Sequence, residues 1–271
     1  MKTLKRGIML TNNAVPKKSI GKEVNIPLSA VSDIQVFLSL AFDTDTTYIG
    51  GRAVNLLCFG SARPTHDVDI VLARKPYAFG YEELPLAPGK DGVYFELDRD
   101  PSFTASRVKL KYFSPEVKSI SSEGYVEIDT YYPGYKSPVN GFVPSNTINR
   151  IPISEIIETS ITVRIGSTSF TVANPDVLVA MKYMTWLERG NGMENAKDIS
   201  DIKNIIRNHF SSENAFLGLI ERVERLSSRH GLLQPGEIAK GISDAVYKSE
   251  RSNSTLKDAA RDVIRKNFAQ E

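Results

Sequence analysis

The pattern of hydrophobic and polar positions divides the chain into two unlike parts. Through residue 173 apolar residues come in short runs and alternations, and from Asn174 onward they recur at helical spacing to the end. A period of two marks strands with one buried face; a period near 3.6 marks amphipathic helices. In the first part the spacing predicts helices over 27–42 and 52–59. It predicts strands over 46–49, 68–73, 106–113, 124–132, 161–165 and 168–172. Residues 74–103 carry Pro76, Pro85, Pro88, Gly89, Gly92 and Pro101 and read as an insertion, with a hairpin through 93–97. In the second part helices are predicted over 175–189, 197–210, 212–229, 235–249 and 254–269. Gly190-Asn191-Gly192, Ser211, Gly231 and Ser252-Asn253-Ser254 separate them. Phe216, Leu219, Ile220, Val223 and Leu226 form one stripe, which implies a helical bundle. The expected architecture is α+β: a mixed sheet flanked by helices in 1–173, followed by a helical bundle in 174–271.

Candidate chemistry gathers where the first predicted strand ends. Gly50 and Gly51 follow Thr46 to Ile49 directly and permit a tight turn with close backbone approach, ahead of a short helix. A helix start with bare amides is a ready anion site. A Walker loop is excluded, because no Gly-Lys-Ser/Thr follows at the required spacing, and the dinucleotide fingerprint lacks its third glycine. Further on, Asp67 and Asp69 stand two apart at the start of a strand and so project from one face. Paired carboxylates suit Mg²⁺, a hard cation bound by one or two carboxylates together with substrate phosphates. Alone, such a pair is more often a solvated turn than a metal site. Ser61 and Arg63, in the intervening loop, either steady phosphates or close the turn. His66 points to the face opposite Asp67 and reads as structural.

Two later segments add candidates. Val126, Ile128 and Thr130 alternate with Glu127, Asp129 and Tyr131, so Glu127 and Asp129 share a strand face and either can serve as a third acid. Asn174 and Pro175 suit a helix cap and first position, and Asp176 opposes the helix dipole. In that helix Leu178, Met181, Thr185 and Leu187 face the core, with Lys182 on an adjoining side, either snorkelling or functional. Arg107, Lys109 and Lys111 give another strand a cationic stripe, read first as a solvated edge strand and second as an acceptor contact.

The order Gly50-Gly51, short helix, Gly60-Ser61, Arg63, Thr65, Asp67-Val68-Asp69-Ile70 resembles the signature of the polymerase-β-like nucleotidyltransferase superfamily. The likeness is greatest to the branch holding the toxin half of AbiE-type toxin–antitoxin pairs. Asp129 before the Pro133-Gly134 turn, the segment Asn174-Pro175-Asp176-Val177-Leu178-Val179-Ala180-Met181-Lys182, and Lys197-Asp198-Ile199-Ser200-Asp201 match its later elements in order. The resemblance implies a nucleotidyltransferase-like sheet and transfer of an NMP from an NTP to an acceptor hydroxyl. It implies two Mg²⁺ ions held by Asp67, Asp69 and Asp129, and a triphosphate cradled by Gly50, Gly51, Ser61 and Arg63. It also implies that Lys182 reaches the triphosphate while Asp198 orients that lysine or touches the nucleotide. The acceptor it implies is a tRNA or other RNA, a protein or a small molecule, and a cognate antitoxin is expected as a partner. The alternative is a non-catalytic protein that binds nucleotide or a partner through the same cleft.

Composition changes this picture little. At 271 residues and 41% hydrophobic content the chain can build sizeable cores. Thirty-four basic residues against 32 acidic give a net charge of +2, which neither favours nor excludes a nucleic-acid partner. The single cysteine, Cys58, excludes an intrachain disulfide and suits a reducing compartment. No run approaches the roughly 18 apolar residues of a membrane span, and residues 1–24 lack the apolar stretch of a secretory signal. The expectation is a cytoplasmic protein with a flexible, basic N-terminus.

Overall fold

The computed structural model describes residues 26–60, 63–65, 67–74, 94–97, 109–121, 123–136, 144–189, 196–249 and 253–268. The expected N-terminal arm, most of the 74–103 insertion, Arg107, Ser61 and His66 lie outside these residues.

The strands in chain order are β1 (Thr46–Ile49), β2 (Asp67–Leu72), β3 (Tyr94–Leu97), β4 (Lys109–Phe113), β5 (Val126–Tyr131), β6 (Tyr135–Lys136), β7 (Pro144–Ser145), β8 (Thr147–Ile148), β9 (Ile151–Pro152), β10 (Ile161–Ile165) and β11 (Thr168–Val172). Seven of them form one mixed sheet in the order β10-β11-β1-β2-β5-β4-β3, while β6–β7 and β8–β9 are small separate pairs. Antiparallel pairing joins β1 to β2, whereas β2 and β5 run parallel, with Asp67 opposite Glu127 and Asp69 opposite Asp129. Central position explains the composition: all four β1 residues and most of β2 are buried, and only the N-terminal end of β2 reaches solvent. On β5 the predicted alternation holds, with Val126, Ile128 and Thr130 buried.

Helix α1 (Leu28–Phe42) buries Val31, Ile34 and Leu38 against the sheet and ends at Asp43 in the left-handed region. Tyr48 Oη donates to the Val31 carbonyl at 2.6 Å, tying α1 to β1. Burial pushes the Tyr48 hydroxyl far above its ordinary value, so it stays a neutral donor. Helix α2 (Gly50–Leu57) starts at Gly50, so the glycine pair forms its first turn rather than preceding it. Cys58 is buried just beyond its end, as a packing residue.

Two short helices, α3 (Pro115–Ile120) and α4 (Ile153–Glu158), were not foreseen, because six residues are too few to show a helical period. The signal for α3 was local: Ser114 accepts from Val117 N at 3.1 Å ahead of Pro115 at the first position. The edge-strand reading of Lys109 and Lys111 is corrected. Strand β3 pairs with β4 on its outer side, and Lys109 and Lys111 lie in register with Asp129 and Glu127 of β5.

Helices α5 (Pro175–Glu188), α6 (Ala196–His209), α7 (Glu213–His230), α8 (Glu237–Ser249) and α9 (Ser254–Phe268) follow within one or two residues of their predicted ranges. Asn174 caps α5 by accepting from Asp176 N at 3.0 Å, and Gly231 ends α7 at φ +60°. α5 is buried from Val177 through Met184, because α2, α6, α7 and α8 all pack on it. It joins the helices to the sheet, and it brings Lys182 to the C-terminal end of β1. Among the described residues no helix is long and apolar enough to cross a membrane.

Candidate active site

The β1–α2 turn has Gly50 at φ +65°, where a side chain would be strained. A Cβ there would also drive into Asp69 Oδ2, so the turn and the carboxylate fit only with glycine at this position. At Gly51 a Cβ would stand 3.0 Å from Thr65 Oγ1. The first turn of α2 is thereby wedged against the aspartate-bearing end of β2, as their register Ile49 to Asp69 requires.

Gly50, Gly51, Arg63, Asp67, Asp69, Lys182 and Asp198 line one cavity of about 280 Å³, together with Thr65, Tyr131, Asn149, Arg189 and Lys197. Seven of the nine residues singled out in sequence thus meet. Ser61 is outside the described residues. Asp129 shares the sheet face of Asp69, one strand over, yet it does not line the cavity. Lys109 Nζ stands 3.4 Å from Asp129 Oδ1 and 2.6 Å from Glu127 Oε1. Among the described residues no three or more His, Cys, Asp or Glu side chains stand close enough to hold one metal ion.

Asp67 sits at the mouth of the cavity. Burial in the cleft would raise its affinity for a proton, but the Thr65 hydroxyl at 2.8 Å, its own backbone N–H, Lys197 and Lys182 more than offset this. Its carboxyl is therefore held below the usual range and remains an anion. Such a depressed group stabilises the fold above its unfolded-state value, about 3.9, and that stability disappears as pH falls through the lower native value. Thr65→Val keeps the shape and removes the donor. We expect it to lower stability at neutral pH by about 1 kcal/mol and to shift acid unfolding to higher pH, with the two proteins converging below both values. Acid titrations followed by circular dichroism check this.

Behind the cavity lies a charge network. Asp198 and Asp201 are one helical turn apart on α6 and almost wholly buried. Asp201 takes both Nε and Nη2 of Arg63 at 3.0 Å, and its Oδ2 is 2.8 Å from Lys182 Nζ. Asp198 lies 3.3 Å from the same ammonium and 2.9 Å from Arg189 Nη1. Lys182, itself buried, stands between the two carboxylates of Asp198 and Asp201. Arg63 is a strut from the β2 approach to α6, with Nη1 donating to the Pro64 carbonyl. Thr65 and Asp201 appear in the sequence only as members of the resembling motifs, without a role of their own, and Asn149 and Tyr131 carry no assigned role there. For Asp201 a signal existed: an acid three residues after Asp198 on a helix faces the same neighbour.

A glycine-started helix is thus wedged against two strand carboxylates, and a buried lysine lines the same cleft. The chain belongs to the AbiEii family: residues 42–270 match the family described as "Nucleotidyl transferase AbiEii toxin, Type IV TA system". Among solved structures it is similar to an antigenic nucleotidyltransferase-like protein from Paracoccidioides brasiliensis, at 18% identity and a TM-score of 0.43, over 76% of this chain and 92% of that one. No curated protein matches the chain.

Proposed function

We propose that the cleft binds an NTP with Mg²⁺ and passes its nucleotidyl group to an acceptor hydroxyl, releasing pyrophosphate. The observation that carries this reading is the meeting of Asp67 and Asp69 with the Gly50–Gly51 helix start and Lys182 around one cavity. The donor set fits a hard divalent cation: two carboxylates on one strand face, one of them held ionised, with no cysteine or histidine among the lining residues. Asp67 and Asp69 would hold Mg²⁺, which when bound supplies charge neutralisation to the triphosphate and to the departing oxygen.

The chain's own residues do the rest. The first-turn amides of α2 lack intrahelical partners and point toward anions, and glycine lets phosphate oxygens come close to them. Lys182 and Lys197 carry positive charge along the wall facing the carboxylates and offset the charge that develops as pyrophosphate leaves. The acceptor oxygen, its hydroxyl proton passing to solvent water, forms a bond to the α-phosphorus as the bond from that phosphorus to the pyrophosphate oxygen breaks.

For the third acid we favour Asp129 over Glu127, because Asp129 is the register partner of Asp69 while Glu127 holds the shorter bond to Lys109. Asp129→Asn is expected to lower transfer about 100-fold, a loss of ~2.7 kcal/mol in transition-state stabilisation, and Glu127→Gln to stay within about threefold of wild type. Single-turnover rates compare them. The family description points to a toxin with a cognate antitoxin, and an RNA end is the acceptor that suits the cationic rim of Arg189 and Lys197.

Thermal denaturation with each NTP, with and without Mg²⁺, tests the reading. A ligand at about 100 times its dissociation constant stabilises by ~2.7 kcal/mol, an increase of several degrees in a chain of this size. A metal-dependent rise with at least one NTP is expected. No rise with any NTP in Mg²⁺ would overturn the proposal.

A further inference from the structure

Ile148, Asn149, Leu178, Met181 and Thr185 also line the cavity, and Asn149 bonds to both Met181 and Thr185. We infer that Asn149 reads the base of the bound nucleotide there and favours one carrying an exocyclic amine; this rests on the nucleotide-binding reading above. Strands β8 and β9 are joined by Asn149 and Arg150 alone, both left-handed at φ +50° and +66°. That is the geometry of a two-residue hairpin whose two central residues both have positive φ, a conformation that asparagine tolerates better than most residues. The tip is anchored: Arg150 Nη1 donates to the Leu232 carbonyl at 3.1 Å.

The orientation of the Asn149 amide follows from its partners. Its nitrogen donates to the Met181 carbonyl at 3.1 Å and to Thr185 Oγ1 at 2.7 Å. A carbonyl can only accept, so nitrogen and oxygen cannot be exchanged. Thr185 sends its own proton to the same Met181 carbonyl at 2.9 Å, which leaves its oxygen an acceptor. With the amide nitrogen committed to α5, Oδ1 is the group that Asn149 offers a ligand. This corner therefore presents acceptors, Asn149 Oδ1 and Thr185 Oγ1, set among the apolar side chains of Ile148, Leu178 and Met181.

An amine at cytosine N4 or adenine N6 supplies the donor such a corner lacks. A carbonyl at the same ring position, as in uracil or hypoxanthine, would set acceptor against acceptor. Sites that hydrogen-bond one substituent discriminate strongly against its counterpart, because the unmatched polar groups are left unpaired.

Calorimetric titration in Mg²⁺ of the full chain with CTP against UTP, and ATP against ITP, compares amine with carbonyl at the same ring position, the adjacent ring nitrogen changing from acceptor to donor with it. In at least one pair the amine nucleotide should bind at least about tenfold tighter. Asn149→Gly, which keeps the left-handed backbone available, should bring that ratio to within about threefold. Equal binding of both members of each pair by the wild type would overturn the inference, and this holds even where the variant fails to fold. A preference that persists in folded Asn149→Gly would overturn it as well. Absence of binding by all four nucleotides would remove the nucleotide-binding reading itself, and the inference with it.

Discussion

Asp67→Asn and Asp69→Asn should each lower nucleotidyl transfer by a factor of roughly 10²–10³, while the fold remains intact. The expectation follows from position. Both carboxylates lie at the N-terminal end of β2, one exposed and one half-buried, where they line the cavity rather than support the core. Replacing either removes a charge that the metal–triphosphate needs in the transition state, where a preorganised group contributes about 3–4 kcal/mol. Folding should change little. Asp67 is expected to contribute about 1 kcal/mol through Thr65, and Asp69 keeps Tyr131 as a neighbour at 3.4 Å in either form. Rates from purified variants, with circular dichroism and melting curves beside them, separate loss of chemistry from loss of fold. Full activity in either variant would remove the metal-binding role.

Asp201→Ala should act in the opposite sense, on the fold first and on transfer through it. Asp201 is fully buried and receives a two-pronged contact from Arg63 and a third from Lys182. Removing one member of such a network leaves buried cations without their counter-charge, a loss of about 3–5 kcal/mol. For a domain of this size that corresponds to a melting temperature lower by roughly 10 °C. Below that temperature transfer should also fall, because Lys182 keeps only Asp198 to aim it. Arg189→Ala is the contrast: its side chain is 46% exposed at the rim, and its loss is expected to reduce stability by less than about 1 kcal/mol. Urea unfolding of the two variants measures the difference.

Much of this arrangement was visible in the chain before its fold. Strand and helix periods placed β1, β2, β5 and the five C-terminal helices, because each buries a continuous face against a large neighbour. The glycine pair and the aspartate pair were recognisable because their chemistry is local: a left-handed turn and an i, i+2 spacing. What escaped was everything set by register between distant segments. That Lys109 would stand against Asp129 and Glu127 depends on β4 pairing with β5, which no local pattern encodes. Asp201 closed a recognisable motif, but its contacts with Lys182 and Arg63 depend on how α6 packs. The β8–β9 hairpin is too short for alternation to register, so Asn149 carried no signal although it lines the cavity.

The central claim is that this cleft transfers a nucleotidyl group. The most direct measurement incubates the protein with Mg²⁺ and each NTP, labelled either at the α- or at the γ-phosphate, in a cell extract containing RNA, proteins and metabolites. With one or more NTPs the α-label should appear on an acceptor and the γ-label in pyrophosphate, and neither should do so with Asp69→Asn. Retention of the γ-label on the acceptor, no transfer of the α-label from any NTP, or equal transfer by Asp69→Asn would contradict the account.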